Sequence, residues 1–160
     1  LPELGGGVLL ELSHELDYLH WFFGKSKDVQ AHIKNSGALD INVEDQVDLL
    51  ITSDRGHCIS VQIDFNRRYA ERKCRVLTTE GEITWDAVNK NVTCRMVNKD
   101  SLCYEYSNEK DYIYRAQLEV FIDCIENNSI PTVTVEDGIN VVKLIDAAHD
   151  AAVGGVKVYL

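Results

Sequence analysis

One stretch near the start of the chain decides its fold: Gly5-Gly6-Gly7-Val8-Leu9-Leu10-Glu11-Leu12-Ser13-His14-Glu15-Leu16-Asp17-Tyr18-Leu19-His20-Trp21-Phe22-Phe23-Gly24. Apolar residues recur in it at three- and four-residue steps, which predicts one apolar stripe along a helix, namely Leu9, Leu12, Leu16, Leu19 and Phe23. We expect this stripe to face a hydrophobic core. Because Trp21 and Phe22 join Phe23 in making the end of the helix apolar nearly all round, we also expect that end to be buried.

Polar side chains recur at the same steps on another face of this helix, namely Glu11, His14, Glu15 and Tyr18. The ordinary pKa of histidine lies near neutral pH, so His14 is a proton acceptor within one helical turn of two carboxylates. Such a face is suited to proton chemistry. Any amphipathic helix also carries charges on its solvent side, and the spacing alone leaves both interpretations open.

The same residues resemble the opening of a known domain. Three glycines, a short aliphatic run, His-x-x-Asp and an aromatic-rich end before Gly24 are similar to the start of the C-terminal domain of the Gfo/Idh/MocA family, the glucose-fructose oxidoreductases and inositol dehydrogenases. The closest part is His14-Glu15-Leu16-Asp17-Tyr18-Leu19-His20-Trp21. The resemblance implies that this helix lines a substrate pocket. It also implies that His14 is the catalytic proton acceptor when NAD(P) oxidises a hydroxyl of a sugar or polyol.

The resemblance implies substrate-binding roles around His14 as well. Asp17 matches a substrate-contacting position of the family, and Glu11 and Tyr18 are further candidates for orienting the substrate. The family commonly has an Asp one full turn before the His, and that position is Leu10 in this chain. If the helix continues unbroken, Glu11 points to the side of the direction taken by the family's Asp.

Length, charge and composition exclude several classes of function. The 160 residues are enough for one domain of ordinary size with a real core. A net charge of −10 argues against a nucleic-acid partner, since such binding relies on clustered Lys and Arg. No apolar run is long enough to predict a membrane span, and the first residues lack the pattern of a signal peptide. We therefore expect a cytoplasmic protein with no nucleic-acid or membrane partner.

The cysteines and the acidic residues do not predict a metal site. Five cysteines have wide, irregular spacing without a Cys-x-x-Cys pair, which favours reduced, mostly buried thiols with structural roles. A metal bound through Glu11-x-x-His14 would need a second such pair on a facing helix, and the sequence contains none. The acidic run Leu39-Asp40-Ile41-Asn42-Val43-Glu44-Asp45 resembles a loop of the family, and we expect its carboxylates to be solvated or structural.

The middle of the chain predicts β-strands at residues 29–34, 47–52, 57–65, 72–79, 82–88 and 91–97. Short turns at Ser53-Asp54-Arg55-Gly56 and Thr79-Glu80-Gly81 predict two hairpins. Apolar and polar residues alternate from Ile59 to Phe65, which is typical of a sheet with one covered face and one polar face. Trp85 lies on the apolar phase of its strand, and we expect it in the core.

The end of the chain predicts two helices and a short strand. Residues 111–127 carry one apolar stripe, Leu118, Phe121, Ile122 and Ile125. A second helix begins near Thr134 and ends near Ala152, with the narrower stripe Val142, Ile145, Ala148 and Ala152. Residues 156–160 can add a final strand.

Together these elements predict a single α+β domain over residues 1–160. Strands joined by short turns demand antiparallel pairing, and helices at both ends must pack on one face, which gives two layers. The other face of the sheet is then available for contact with another subunit. The resemblance implies a homo-oligomer formed through that sheet.

The cofactor site is missing from this sequence. No Gly-x-Gly-x-x-Gly lies between a strand and a helix, and Gly5-Gly6-Gly7 is not a substitute for it. The resemblance implies an N-terminal Rossmann domain, absent here, that holds NAD or NADP in the full-length protein and carries an active-site Lys. The chain, which begins without Met, is thus expected to be the substrate-binding and oligomerisation portion of an NAD(P)-dependent oxidoreductase, inactive alone. The alternative is a non-catalytic interaction or assembly domain of the same fold.

Overall fold

The structure is a computed structural model and describes residues 6–107 and 111–160; Gly5, the first residue of the glycine triplet, lies outside them. The described helices are α1 (Val8–Glu11), α2 (His14–Phe23), α3 (Tyr112–Glu126) and α4 (Val135–Gly154). The strands are β1 (Ser26–Lys34), β2 (Gln46–Ser53), β3 (Cys58–Asp64), β4 (Lys73–Thr78), β5 (Gly81–Asp86), β6 (Asn91–Met96), β7 (Leu102–Glu105) and β8 (Val158–Tyr159). The predicted α+β class is confirmed.

The strands form two sheets, one in each of two compact units. The first unit combines the residues up to 66 with residues 132–160, and its sheet has the order β3-β2-β1-β8. The second unit comprises residues 67–131, and its sheet has the order β4-β5-β6-β7. All strand pairs are antiparallel, as predicted from the short turns. Strand β7 has no counterpart among the strands predicted from the sequence.

The core of the first unit lies between its sheet and helices α1, α2 and α4. The predicted stripe of the first helical stretch is confirmed: Leu9, Leu16 and Leu19 are buried, and Leu12 and Phe23 pack against the core. On the sheet side the buried residues alternate along each strand, which confirms one covered and one polar face; they are Val29, Val47, Leu49, Ile51, Val61 and Ile63.

The helical stretch breaks where the sequence predicted one continuous helix. Leu12 and Ser13 form a turn between α1 and α2, and the amide of Ser13 donates to the carbonyl of Leu10 at 3.2 Å in a tightened, three-residue step. Serine is a weak helix former, because its hydroxyl competes for backbone hydrogen bonds. Glu11 therefore ends α1 and has no regular helical relation to His14.

The expectation that the end of α2 is buried is wrong. The exposed fraction is 74% for Trp21 and 46% for Phe22. Both residues lie off the stripe that contacts the core, and neither is among the described residues that pack against it. Only Phe23, which is on the stripe, packs against the core.

The predicted stripe of α4 is partly wrong. Ile145 and Ala148 are buried as expected, whereas Val142 is 50% exposed. The observed stripe is turned by about one residue and consists of Val141, Leu144, Ile145, Ala147, Ala148 and Ala151. The observed stripe places the bulkier Leu144 in the core. It therefore buries more apolar surface than the stripe that was predicted from the residue spacing.

In the second unit the described residues include no buried apolar side chain. The α3 stripe is 45–66% exposed at Leu118, Phe121, Ile122 and Ile125. Trp85 is half-buried, so its expected place in the core is wrong: among the described residues this unit has no buried apolar core for it to join. Its indole Nε1 donates to the Tyr106 hydroxyl at 2.8 Å, and the Arg72 guanidinium lies 5.3 Å from its ring centre.

The cysteines are free thiols, but most are not buried. Cys58 and Cys103 are exposed, and Cys74, Cys94 and Cys124 are half-buried. The expectation of mostly buried thiols is therefore wrong. Cys58 illustrates the reason, because it takes the outward phase of β3 while its neighbour Ile59 packs against the core.

One carboxylate of the acidic loop, that of Asp45, is buried and has a structural role. Asp45 is fully buried, and its carboxylate accepts hydrogen bonds from the amide of Ser36 at 2.8 Å and from its hydroxyl at 2.6 Å. These bonds favour the charged form and hold the pKa of Asp45 below its ordinary value. The stabilisation is therefore present above the ordinary pKa of about 3.9 and is lost as the pH falls through the folded-state pKa.

Replacement of this carboxylate tests its structural role. We expect Asp45→Asn to lower Tm by several degrees at pH 7, because the amide nitrogen of Asn would face the donors of Ser36. The difference in Tm between the variant and the unaltered protein should become smaller below about pH 4, because the carboxylate of Asp45 becomes protonated in the unaltered protein. Thermal unfolding followed by circular dichroism measures both. Asp40→Asn, at an exposed position of the same loop, is the control; an Asp45→Asn difference that is independent of pH would contradict the assignment.

Candidate functional site

His14 is the first residue of α2 and is accessible to a ligand. Its side chain is 52% exposed, and its Nε2 lies 3.0 Å from Oε1 of Glu15. The Glu15 side chain is only 13% exposed. A half-exposed imidazole beside a mostly buried carboxylate is an arrangement that can accept a proton from a bound hydroxyl.

The structure brings some of the predicted site residues together and separates one. His14, Asp17 and Tyr18 are three and four residues apart on α2, so they share one side of that helix. Asp17 and Tyr18 are half-buried, and the Tyr18 ring lies 5.7 Å from that of Phe22. Glu11 is exposed and belongs to α1, beyond the turn that separates the two helices.

The glycine approach to α1 is filled by a residue that sequence analysis did not place there. The backbone carbonyl of Glu44 accepts from the amide of Val8 at 3.0 Å, and its Oε1 accepts from the amide of Leu9 at 3.4 Å. Gly7 has φ 131°, and a Cβ at Gly7 would overlap the Glu44 carboxylate. The resemblance of residues 39–45 to a family loop was the only sequence signal for this contact.

The contact between Glu44 and the start of α1 affects whether the glycine approach can bind the cofactor's phosphates. A dinucleotide phosphate needs free amides at the start of a helix, whereas the amides of Val8 and Leu9 already face Glu44. A carboxylate at that position would also repel a phosphate. The glycine-rich stretch of this chain therefore does not fit the phosphates of NAD(P).

His20 is a second histidine of α2 that sequence analysis left out of the site. Its Nε2 lies 2.8 Å from the Ser26 hydroxyl, and its Nδ1 is buried without a hydrogen-bond partner among the described residues. Burial lowers the pKa of His20, and the nearby charge of Asp17 opposes that shift. His20 is thus neutral near pH 7. Its spacing of three residues from Asp17 was the available sequence signal.

Two other kinds of site are absent from the part of the chain that the structure describes. Within residues 6–107 and 111–160, no cluster of three or more His, Cys, Asp or Glu side chains is arranged to hold a metal ion. None of the helices in these ranges combines the length and the apolar character that crossing a membrane requires.

The whole chain is similar to one class of known proteins. Residues 1–160 match the sequence model described as "Oxidoreductase family, C-terminal alpha/beta domain". The fold is thus that of an oxidoreductase C-terminal domain. The chain belongs to the Gfo/Idh/MocA oxidoreductase family. The search of curated proteins gives no match.

Solved structures of similar fold are about twice as long as this chain. The aldose-aldose oxidoreductase of Caulobacter crescentus, complexed with glycerol, is 21% identical at a TM-score of 0.84, over 98% of this chain and 48% of that one. Levoglucosan dehydrogenase with NADH and levoglucosan is 16% identical at 0.87, over 98% and 51%. GenD2 of gentamicin A biosynthesis, with NAD, is 26% identical at 0.78, over 98% and 48%. The chain spans about half the length of each.

Proposed function

We propose that this chain is the substrate-binding C-terminal portion of an NAD(P)-dependent oxidoreductase that acts on a sugar, a sugar derivative or a polyol. The family assignment supports an oxidoreductase, and similar structures contain NAD or NADH. The observation that carries the proposal is the half-exposed His14 beside the mostly buried Glu15 at the start of α2. That is the position to which the family resemblance assigned the proton acceptor.

The cofactor belongs to another part of the proposed enzyme. The glycine-rich stretch of this chain faces Glu44 and does not fit a dinucleotide phosphate. We place NAD or NADP in an N-terminal Rossmann domain, and this chain alone should bind neither. When bound, the oxidised nicotinamide supplies the acceptor for the hydride that leaves the substrate's carbinol carbon.

The chain's own residues bind the substrate and take up its proton. His14 accepts the proton of the hydroxyl that is oxidised. Asp17, one helical turn further along α2, accepts a hydrogen bond from another hydroxyl of the substrate. Tyr18, the residue after Asp17 on α2, orients the substrate, and Glu11, on α1 beyond the turn, is the remaining candidate for that role. This division of roles suits a small, neutral, polyhydroxylated ligand.

The second unit supports the homo-oligomer that the resemblance implies. One face of the β4-β5-β6-β7 sheet is largely apolar. Its side chains are cross-strand partners and therefore lie on the same side of the sheet, namely Cys74, Val76, Ile83, Trp85, Val92, Cys94, Leu102 and Tyr104. Tyr104 is 61% exposed and Leu102 is 52% exposed. Exposed apolar patches of this kind mark contacts with other proteins. We therefore propose that this face contacts another subunit.

The free thiols of the chain suit the reducing environment of the cytoplasm, where we propose that the protein resides.

The proposal is tested by comparing the full-length enzyme with the 160-residue chain. We expect the full-length enzyme to reduce NAD or NADP with at least one member of a panel of sugars, sugar acids and polyols. The isolated chain should show no reduction with any of them, because its described residues offer no dinucleotide site. Formation of NAD(P)H is followed by absorbance. Turnover by the isolated chain, or no turnover by the full-length enzyme on the whole panel, would contradict the proposal.

The second candidate is a non-catalytic assembly domain, and the apolar sheet face of the second unit favours it. The mass of the product that the native gene makes separates the two candidates. A mass near twice 18.1 kDa is expected for the oxidoreductase, because the chain spans about half of the similar structures. A product close to 18.1 kDa would favour assembly.

A further inference from the structure

We propose that His20 is an acid-sensitive latch between the last turn of α2 and the start of β1, which holds while the imidazole is neutral and weakens when it is protonated. The latch is the contact between Nε2 of His20 and the hydroxyl of Ser26, the first residue of β1, at 2.8 Å. The inference is independent of the proposed function, because it concerns the joint between a helix and a strand and not the reaction.

The two ring nitrogens of His20 have different surroundings. Nε2 faces the Ser26 hydroxyl, which can both donate and accept and therefore suits either state of that nitrogen. Nδ1 is buried and has no hydrogen-bond partner among the described residues. The neutral ring carries one proton, and with that proton on Nε2 it leaves only a lone pair at Nδ1. The imidazolium carries a hydrogen on both nitrogens, so protonation creates a buried donor without an acceptor, which costs stability.

Charged groups of several elements surround His20. Asp17 lies one turn earlier on α2, Lys25 follows that helix, Asp54 belongs to the turn between β2 and β3, and Asp137 lies in the first turn of α4. The three carboxylates favour the imidazolium, and the lysine disfavours it. Burial outweighs the carboxylates and lowers the pKa of His20 below its ordinary value of about 6.5.

The direction of the pH dependence follows from this lowered pKa. Well above the ordinary pKa, His20 is neutral in the folded and the unfolded chain, and the latch holds. As the pH falls from the ordinary pKa through the folded-state pKa, the unfolded chain binds the proton more readily, so the folded state loses stability. We expect the joint to open first, because local opening gives Nδ1 access to water.

Two backbone hydrogen bonds at the joint report such an opening. The amide of Gly24 donates to the carbonyl of His20 at 3.0 Å, and the amide of Asp54 donates to the carbonyl of Lys25 at 2.7 Å. Amide hydrogen exchange measures their protection factors at about pH 7 and about pH 5. Protection of these two amides should fall more than that of Leu49, which is buried in the inner strand β2. Equal changes at the three amides would overturn the inference.

Nitrogen NMR of the His20 ring in the unaltered protein gives the second test, which needs no variant. The midpoint of its titration is expected below the ordinary value of about 6.5. A midpoint at or above that value would show that the buried Nδ1 does not oppose protonation, and the inference would be abandoned.

A variant that cannot titrate provides the third test. His20→Gln keeps a polar group that can reach Ser26, so the unaltered protein should lose a few degrees more of Tm than this variant between about pH 7 and about pH 5. His149→Gln, at an exposed position of α4, is the matched control and should lose as much as the unaltered protein. An equal loss of Tm in His20→Gln and in the unaltered protein would contradict the latch.

Discussion

In the full-length enzyme, His14→Asn is expected to lower kcat by about 10²- to 10⁴-fold, the range that general-base catalysis contributes. Asparagine keeps much of the polar surface but cannot accept a proton from the substrate hydroxyl. The His14 side chain is 52% exposed and contributes no buried contact to the core, so Tm should change little. Initial rates of NAD(P)H formation, together with a thermal unfolding curve, measure both effects.

The matched control for this substitution is His149→Asn. His149 is also an exposed helical histidine, but it lies on α4 and not on the helix that carries the candidate site. The His149→Asn substitution should leave kcat and KM unchanged. Equal rates for His14→Asn and His149→Asn would show that His14 is not the proton acceptor, and His20, the other histidine of α2, would become the next residue to test.

For stability, the largest effect is expected from Gly81→Ala, which should lower the free energy of unfolding by about 2 to 4 kcal/mol. Gly81 begins β5 at the hairpin with β4, and it also pairs with Met96 on β6. A Cβ at this position would overlap the backbone carbonyl of Arg95 and lie 2.9 Å from the Met96 Cα. Backbone atoms of a paired strand cannot rotate away, so β5 and β6 would have to separate there.

Two other glycines provide controls for this prediction. Gly56 lies in a hairpin turn with φ 85°, and no atom lies near the position of an added Cβ. Gly56→Ala should therefore destabilise the protein only through backbone strain, and its loss of unfolding free energy should be smaller than that of Gly81→Ala. Gly138 lies in α4 with open space around its Cβ position, and Gly138→Ala should raise stability by about 0.5 to 1 kcal/mol. Chemical denaturation of the three variants measures the series. A Gly81→Ala effect no larger than that of Gly56→Ala would contradict the steric argument.

Much of the fold could be predicted because its signals are local. The apolar steps of residues 9–23, the alternation of residues 59–65 and the short turns gave the helices and the antiparallel hairpins. The family resemblance identified the domain, and the match over residues 1–160 confirms it. The same local signals could not predict that Leu12 and Ser13 interrupt the first helix, since the apolar stripe continues across the break.

The candidate site was predicted as a set of residues but not as an arrangement. The sequence placed His14, Asp17 and Tyr18 on one helix, and α2 contains all three. It did not predict the contact between His14 and Glu15, because adjacent helical residues ordinarily diverge. The half-buried His20 was missed for a related reason, as its contact with Ser26 depends on an element beyond α2.

By itself, the sequence determined the α+β class, two antiparallel hairpins, the family and the residue types available for proton chemistry, because periodicity, turns and motifs are properties of neighbouring residues. Only the tertiary structure decided that Glu44 occupies the glycine approach, that Asp45 is a buried structural carboxylate and that Trp21 is exposed. Each of these depends on residues far apart in the chain or on which side of a helix the core covers. Contacts of that kind are set when the elements pack, which local propensity does not specify.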